Sequence, residues 1–92
     1  MSFEWEPVKA RANLAKHNVD FEDAVRIFDG RTLESEDIRR DYGEQRIQAL
    51  GAAGNSVLFV VYTWRGGVRR IISARGASDH ERQAYRQAYP PA

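Results

Sequence analysis

From Pro7 to His17, the apolar positions Val8, Ala12 and Ala15 recur at helical spacing, and Lys9, Asn13 and Lys16 recur beside them on a second face. The pattern predicts a helix that opens on proline, which suits the first helical turn, and stops at Asn18, which tolerates a left-handed backbone. Asp20 then reads as an N-cap, with Asp23 three residues on in an acidic variant of the capping box. Phe21, Ala24, Val25 and Phe28 follow at helical spacing until Gly30 closes a second helix. Before both helices, the stretch FEW (3–5) is a short strand candidate.

The period then changes. Residues 31–44 are acidic and polar around Thr32 and Leu33, which predicts a short strand followed by a loop. Three runs rich in β-branched and aromatic residues follow, QRIQALG (45–51), SVLFVVYTW (56–64) and VRRIISAR (68–75). Their connections, AAGN and RGG, are short and contain glycine, so two antiparallel hairpins are expected. Ser78-Asp79-His80-Glu81 is a capping box that opens a last helix, ended by Pro90-Pro91. The order is β-α-α-β-β-β-β-α, an α+β domain spanning 1–92, with an antiparallel meander packed against helices.

A two-residue turn at Gly66-Gly67 sets Thr63 opposite Arg70 and Trp64 opposite Arg69. If the preceding loop has an even length, Arg46 joins Thr63 and Arg70 on one face, because side chains alternate with a period of two. That face would carry Phe59, Val61, Ile72 and Ala74, with Arg46, Arg65 and Arg70 gathered at one end. The other would carry Leu58, Val60, Tyr62 and Trp64 beside Arg69, Ile71, Ser73 and Arg75, with Trp64 and Arg69 placed for a cation–π contact. Guanidiniums bind phosphate and carboxylate in a planar fork, but they also serve as surface residues whose stems cover apolar area.

Charge sharpens the choice. The net charge is +1, yet residues 1–44 hold seven bases against eleven acids, and residues 45–92 seven bases against two acids. A basic half of this kind suits a polyanion or an acidic partner. At 42% hydrophobic and 29% charged, the chain has the composition of a folded domain. It has no cysteine, which excludes disulfides, thiolate nucleophiles and Cys-ligated zinc, and fits a reducing cytoplasm. Without a long apolar run or a leader, a soluble, unprocessed protein with no membrane contact is expected. His17 ends the first helix, where it could cap carbonyls or serve a site, and His80 lies in the capping box as a solvated first-turn residue. Two histidines without H-x₃-H spacing make a poor metal site, and the chain has no phosphate-binding glycine loop or nucleophile elbow. No metal or cofactor is expected.

The blocks FEWEPVKARANLAKHNVDFEDAVRIF, YGEQRIQALG, VVYTWRGGVRRIISAR and ERQAY resemble the BrnT family of bacterial type II toxins, from about Phe3 to Tyr85. The resemblance implies a RelE-like fold, endoribonuclease activity that arrests growth, and neutralisation by a DNA-binding antitoxin of the BrnA type. The family pattern falls on Trp5, Lys9, Asn13, Lys16, His17, Phe21, Arg46, Arg65, Arg70, Ser73, Arg75 and Glu81. Of these, Trp5 and Phe21 read as core. Trp64 and the acidic segment 34–41 depart from the pattern. Metal-free RNA cleavage needs a base, charge on the pentacovalent phosphate and an acid. The resemblance implies that Arg46, Arg65 and Arg70 supply the charge, His17 a proton transfer, and Lys9 and Arg75 contacts to the RNA backbone. Two other readings remain: a non-catalytic module that binds RNA or protein, and a partner of an acidic regulator with an inactive site. Oligomerisation, alone or with the antitoxin, is open.

Overall fold

A computed structural model describes residues 2–91. Its element order is β1 (Phe3–Glu4), α1 (Pro7–His17), α2 (Phe21–Ala24) continuing into a 3₁₀ turn (Val25–Asp29), β2 (Thr32–Glu36), β3 (Ile47–Ala53), β4 (Ser56–Arg65), β5 (Val68–Gly76) and α3 (Asp79–Ala88). The strands form one sheet in the order β1-β5-β4-β3-β2. The meander β2 to β5 is antiparallel as expected, and β1 adds parallel to β5 at one edge, so the sheet is mixed.

The expected signals operate at most helix ends. Asn18 is left-handed (φ 57°) and its N–H donates to the Leu14 carbonyl. Asp20 caps α2 by accepting from the Glu22 N–H at 3.0 Å. Ser78 and Glu81 form the reciprocal capping box of α3. The second helix tightens after Ala24, and this changes its inward face. With three residues per turn, Phe21, Ala24 and Ile27 fall on one line, all fully buried, with Phe28 beside them. Val25, expected in that stripe, is half-buried instead.

Both hairpins are two-residue turns. Gly66 and Gly67 have φ of 55° and 81°, which L side chains rarely adopt, and Thr63 pairs with Arg70. Gly54-Asn55 joins β3 to β4. Central β4 is buried on both sides from Val57 to Thr63. Leu58, Val60 and Tyr62 meet the layer of α2 and its 3₁₀ turn. Gly51 lets β3 approach that turn closely, since a Cβ there would stand 2.6 Å from the Ile27 Cβ. On the opposite face α3 covers Val57, Leu33 and Leu50 with Tyr85 and Tyr89.

Three expectations need correction. First, Glu34 to Glu36 belong to β2 and not to a loop, because the strand pairs with β3 along its whole length, Thr32 to Gly51 through Glu36 to Ile47. Second, a bulge in β5 breaks the simple alternation. Tyr62 pairs with Ile71 but Val61 pairs with Ser73, so Ile72 is the extra residue. Ala74 therefore joins Val60 and Ile71 in the core, and Arg75 moves to the face of Phe59, with its guanidinium 4.1 Å from that ring. Third, α1 turns its apolar stripe outward. Val8 is 60% exposed, whereas Asn13 is 8% exposed.

The third inversion has a clear cause. β1 pairs with β5 only at Arg69 and Arg70, so β5 has an unpaired edge further on. Asn13 fills it. Its side-chain N–H donates to the Ala74 carbonyl at 2.8 Å and to the Val19 carbonyl at 3.1 Å, while its oxygen accepts from the Ala74 N–H at 3.1 Å. Asn13→Ala should lower the unfolding free energy by about 1–3 kcal/mol, the cost of leaving buried backbone groups unpaired. Asn13→Asp should cost more, because a carboxylate cannot donate to the Ala74 carbonyl. Urea unfolding measures both, and a loss under about 0.5 kcal/mol, the range of neutral surface changes, would contradict the assignment.

Candidate active site

One rung of the sheet assembles the basic cluster. Arg46 directly precedes the Ile47–Tyr62 pair and so stands level with Thr63, which pairs with Arg70. The Thr63 hydroxyl donates to the Gln45 carbonyl at 2.6 Å and fixes that end of β3. Arg65 lies two residues beyond Thr63, on the same face. The first turn of α1 brings Lys9 alongside. Together Glu6, Lys9, Glu44, Arg46, Arg65 and Arg70 line a cleft of about 250 Å³ with Ile71 and Ile72.

Carboxylates hold the guanidiniums apart. Arg70 Nη1 donates to Glu4 Oε2 at 2.9 Å, an anchor 66 residues away in sequence. Glu44 stands between the other two, with Oε2 3.3 Å from Arg46 Nε and Oε1 3.6 Å from Arg65 Nη2. The Arg46 guanidinium also stacks 4.1 Å from the centre of the Tyr42 ring. Four cations thus share the cleft with two lining carboxylates, and Arg65 is the most open of the arginines, its side chain 55% exposed.

The loop from 37 to 46 braces this arrangement. Asp37, whose side chain is 1% exposed, accepts from Arg39 Nε and Nη2 at 2.9 and 2.8 Å and from the Tyr42 hydroxyl at 3.0 Å. Its own N–H donates to the Arg46 carbonyl at 2.7 Å. The loop's two ends are therefore tied together, and the Tyr42 ring is set against Arg46. Arg39 and Tyr42 hold the Asp37 carboxyl well below the usual carboxylate range, against the opposing effect of burial. The sequence pattern predicts a polar, acidic loop after a short strand here and does not single out Asp37, Tyr42 or Glu44. The D-x-R spacing of Asp37 and Arg39 was the available signal, since a buried aspartate needs a nearby donor.

Lys9, Arg46, Arg65 and Arg70 come together. His17 and Arg75 do not join them. His17 is eight residues along α1 from Lys9, about 12 Å at the helical rise, and lines a separate hollow with Ser56, Gly76 and Arg82. Arg75 lies five residues along β5 from Arg70, about 17 Å, bound to both Glu81 oxygens at 2.8 and 2.9 Å. Trp5 packs edge-on to Phe21, in keeping with a core role, and Trp64 lies over Arg69 as its register implied. Among the described residues, no group of three or more His, Cys, Asp or Glu side chains could hold a metal ion. No helix among them is long and apolar enough to cross a membrane.

A family model described as ribonuclease toxin, BrnT, of type II toxin–antitoxin system matches residues 5–81 of the chain. No curated protein matches it.

The Asp37 brace makes stability depend on pH in a defined direction. Because the folded-state pKa is depressed, its stabilisation is complete above the unfolded value of about 4 and is lost as pH falls below it. Asp37→Asn should therefore cost about 1.5–3 kcal/mol at neutral pH, the range for hydrogen bonds to a charged group. The gap between the two proteins should narrow progressively below about pH 4. Thermal unfolding of both proteins across pH 2–7 tests this, and a pH-independent gap would assign the effect to shape alone.

Proposed function

The chain belongs to the BrnT family of ribonuclease toxins of type II toxin–antitoxin systems, and on that premise we propose that the Lys9–Arg46–Arg65–Arg70 cleft cleaves RNA without a metal ion. The observation that carries this reading is the convergence of three guanidiniums and one ammonium in a single cleft. In the proposed reaction a ribose 2′-hydroxyl attacks the adjacent phosphorus, and the 5′-oxygen leaves. Negative charge grows on the non-bridging oxygens in the pentacovalent transition state. Arg46, Arg65 and Arg70 stabilise it with donors already oriented before RNA arrives. Lys9 contacts a phosphate beside the reacting one. Arg75, about 17 Å along β5 from Arg70, would meet the RNA backbone further away once released from Glu81. His17 lines the hollow at the other end of α1 and takes no part in the step.

The pairs with Glu4 and Glu44 are half-buried and reach the cleft. A dianionic phosphate transition state binds the guanidiniums more strongly than a single carboxylate, so RNA can take them over. Growth arrest would follow from loss of RNA. The antitoxin, of the DNA-binding BrnA type in this proposal, would silence the toxin by covering the cleft, with the basic second half steering the encounter.

Purified protein should cut RNA in excess EDTA and leave 2′,3′-cyclic phosphate or 3′-phosphate ends. Arg46→Ala, Arg65→Ala and Arg70→Ala should each slow cleavage by about 10²–10³, the loss typical of one preorganised donor. Lysine at these positions should rescue only in part, because the bidentate fork is absent. Arg82→Ala, on α3, should leave the rate near wild type. Abolition by EDTA, or full activity in all three alanine variants, would refute the mechanism. RNA bound but left intact would favour a non-catalytic module.

In cells, expression of the chain alone should stop growth, and co-expression of its antitoxin should restore it. A purified complex that still cleaved RNA at the free rate would contradict masking of the cleft.

A further inference from the structure

The proposed cleft accounts for charge stabilisation but leaves the proton of the 2′-hydroxyl without an acceptor. The geometry points to Glu44 as the catalytic base, an inference that rests on the cleavage reading above. Three observations carry it. Glu44 lines the cleft, and its two oxygens face Arg46 and Arg65, the groups proposed to take the phosphate. A 2′-hydroxyl beside that phosphate would lie within reach of the carboxylate.

The contacts are also loose. At 3.3 and 3.6 Å they exceed the roughly 2.7–2.9 Å of a tight charge-assisted bond. A carboxylate offers about four lone-pair sites, so Glu44 keeps capacity for a further donor. Arg70 and Glu4 make the contrast, at 2.9 Å. Finally, the alternatives are worse placed. Glu6 is exposed and makes no side-chain capping bond to α1. His17 lines a different hollow at the far end of α1.

The step balances. A lone pair of a Glu44 oxygen takes the 2′-hydroxyl proton, and the 2′-oxygen forms a bond to phosphorus. The bond from phosphorus to the 5′-oxygen breaks with its electron pair on oxygen, which takes a proton from water. The products are a 2′,3′-cyclic phosphate and a 5′-hydroxyl, and Glu44 returns its proton to solvent.

Glu44→Gln separates this role from simple spacing of the arginines. Glutamine keeps the shape and an oxygen that accepts from Arg46, but it is not a base. With a mixed-sequence RNA carrying a fluorophore and quencher, Glu44→Gln should lower kcat by about 10²–10⁴, the usual contribution of a general base. KM should stay within about threefold, and the unfolding midpoint should not fall. Glu44→Asp should recover at least tenfold over glutamine, and added formate should partly restore Glu44→Ala. Wild-type cleavage with Glu44→Gln within tenfold of it would overturn the assignment of Glu44 and leave the cleavage reading standing. If Glu44→Gln folds poorly, failure of both aspartate and formate to restore the rate overturns the assignment equally. A wild-type chain that leaves RNA intact would overturn both.

Discussion

The amide of Asn13 does for β5 what another strand would otherwise do. It offers one donor and one acceptor to the outward-facing Ala74 backbone, with a second donor bond to Val19. A buried strand edge left unpaired would cost more than these bonds individually return, so the clamp decides where α1 can lie. With α1 fixed along β5, its first turn falls beside Arg70 and contributes Glu6 and Lys9 to the cleft. The same clamp explains an otherwise odd helix, one that buries a polar residue and exposes Val8 and Leu14. Hydrogen-bond satisfaction at the edge outweighs the small apolar gain from turning Val8 and two alanines inward.

Clustered cations raise a second constraint. Arg46, Arg65 and Arg70 would repel one another in a folded cleft unless the charge were shared. Glu4 and Glu44 share it, and the Tyr42 ring takes one face of Arg46. The Glu44 contacts, at 3.3 and 3.6 Å, are the loose ones, and Arg70–Glu4 at 2.9 Å is the tighter. The firm element lies behind them, in the buried Asp37, which ties the exposed Arg39, the half-buried Tyr42 and the Arg46 backbone together. Support and reactivity are thus divided. The Asp37 carboxylate is buried and saturated, while the groups facing the cleft are half-open and exchangeable.

The opposite end of the sheet is built the other way. Arg75 is stacked on Phe59 and held by both oxygens of Glu81, which also closes the capping box of α3. Arg75 and the Ser78 backbone hold the Glu81 carboxyl below its ordinary pKa, so the pair stays ionised through the neutral range. Arginines of identical chemistry thus differ in availability. Partners decide the difference.

Much of the fold was legible in local pattern. Alternation, glycine turns and capping residues are short-range signals, and they placed the helix caps, the β-meander and the Thr63–Arg70 register. The Gly66-Gly67 turn also carried Arg65 and Arg70 to one face along a ladder of period two. Arg46 joined them only on the condition of an even preceding loop, which the structure meets at Gly54-Asn55. Tertiary structure decided the rest. The bulge at Ile72 has no local signature, and it arises where β5 must keep both Ile71 and Ala74 in the core. The inward turn of Asn13 depends on an edge 61 residues away. His17 and Arg75 share helices and strands with the cleft residues, but the lengths of α1 and β5 carry them off. Glu44 acquires its place only when the Asp37 loop closes and two separate strands present arginines to it. Those relations are between distant segments, and no periodicity within either segment encodes them.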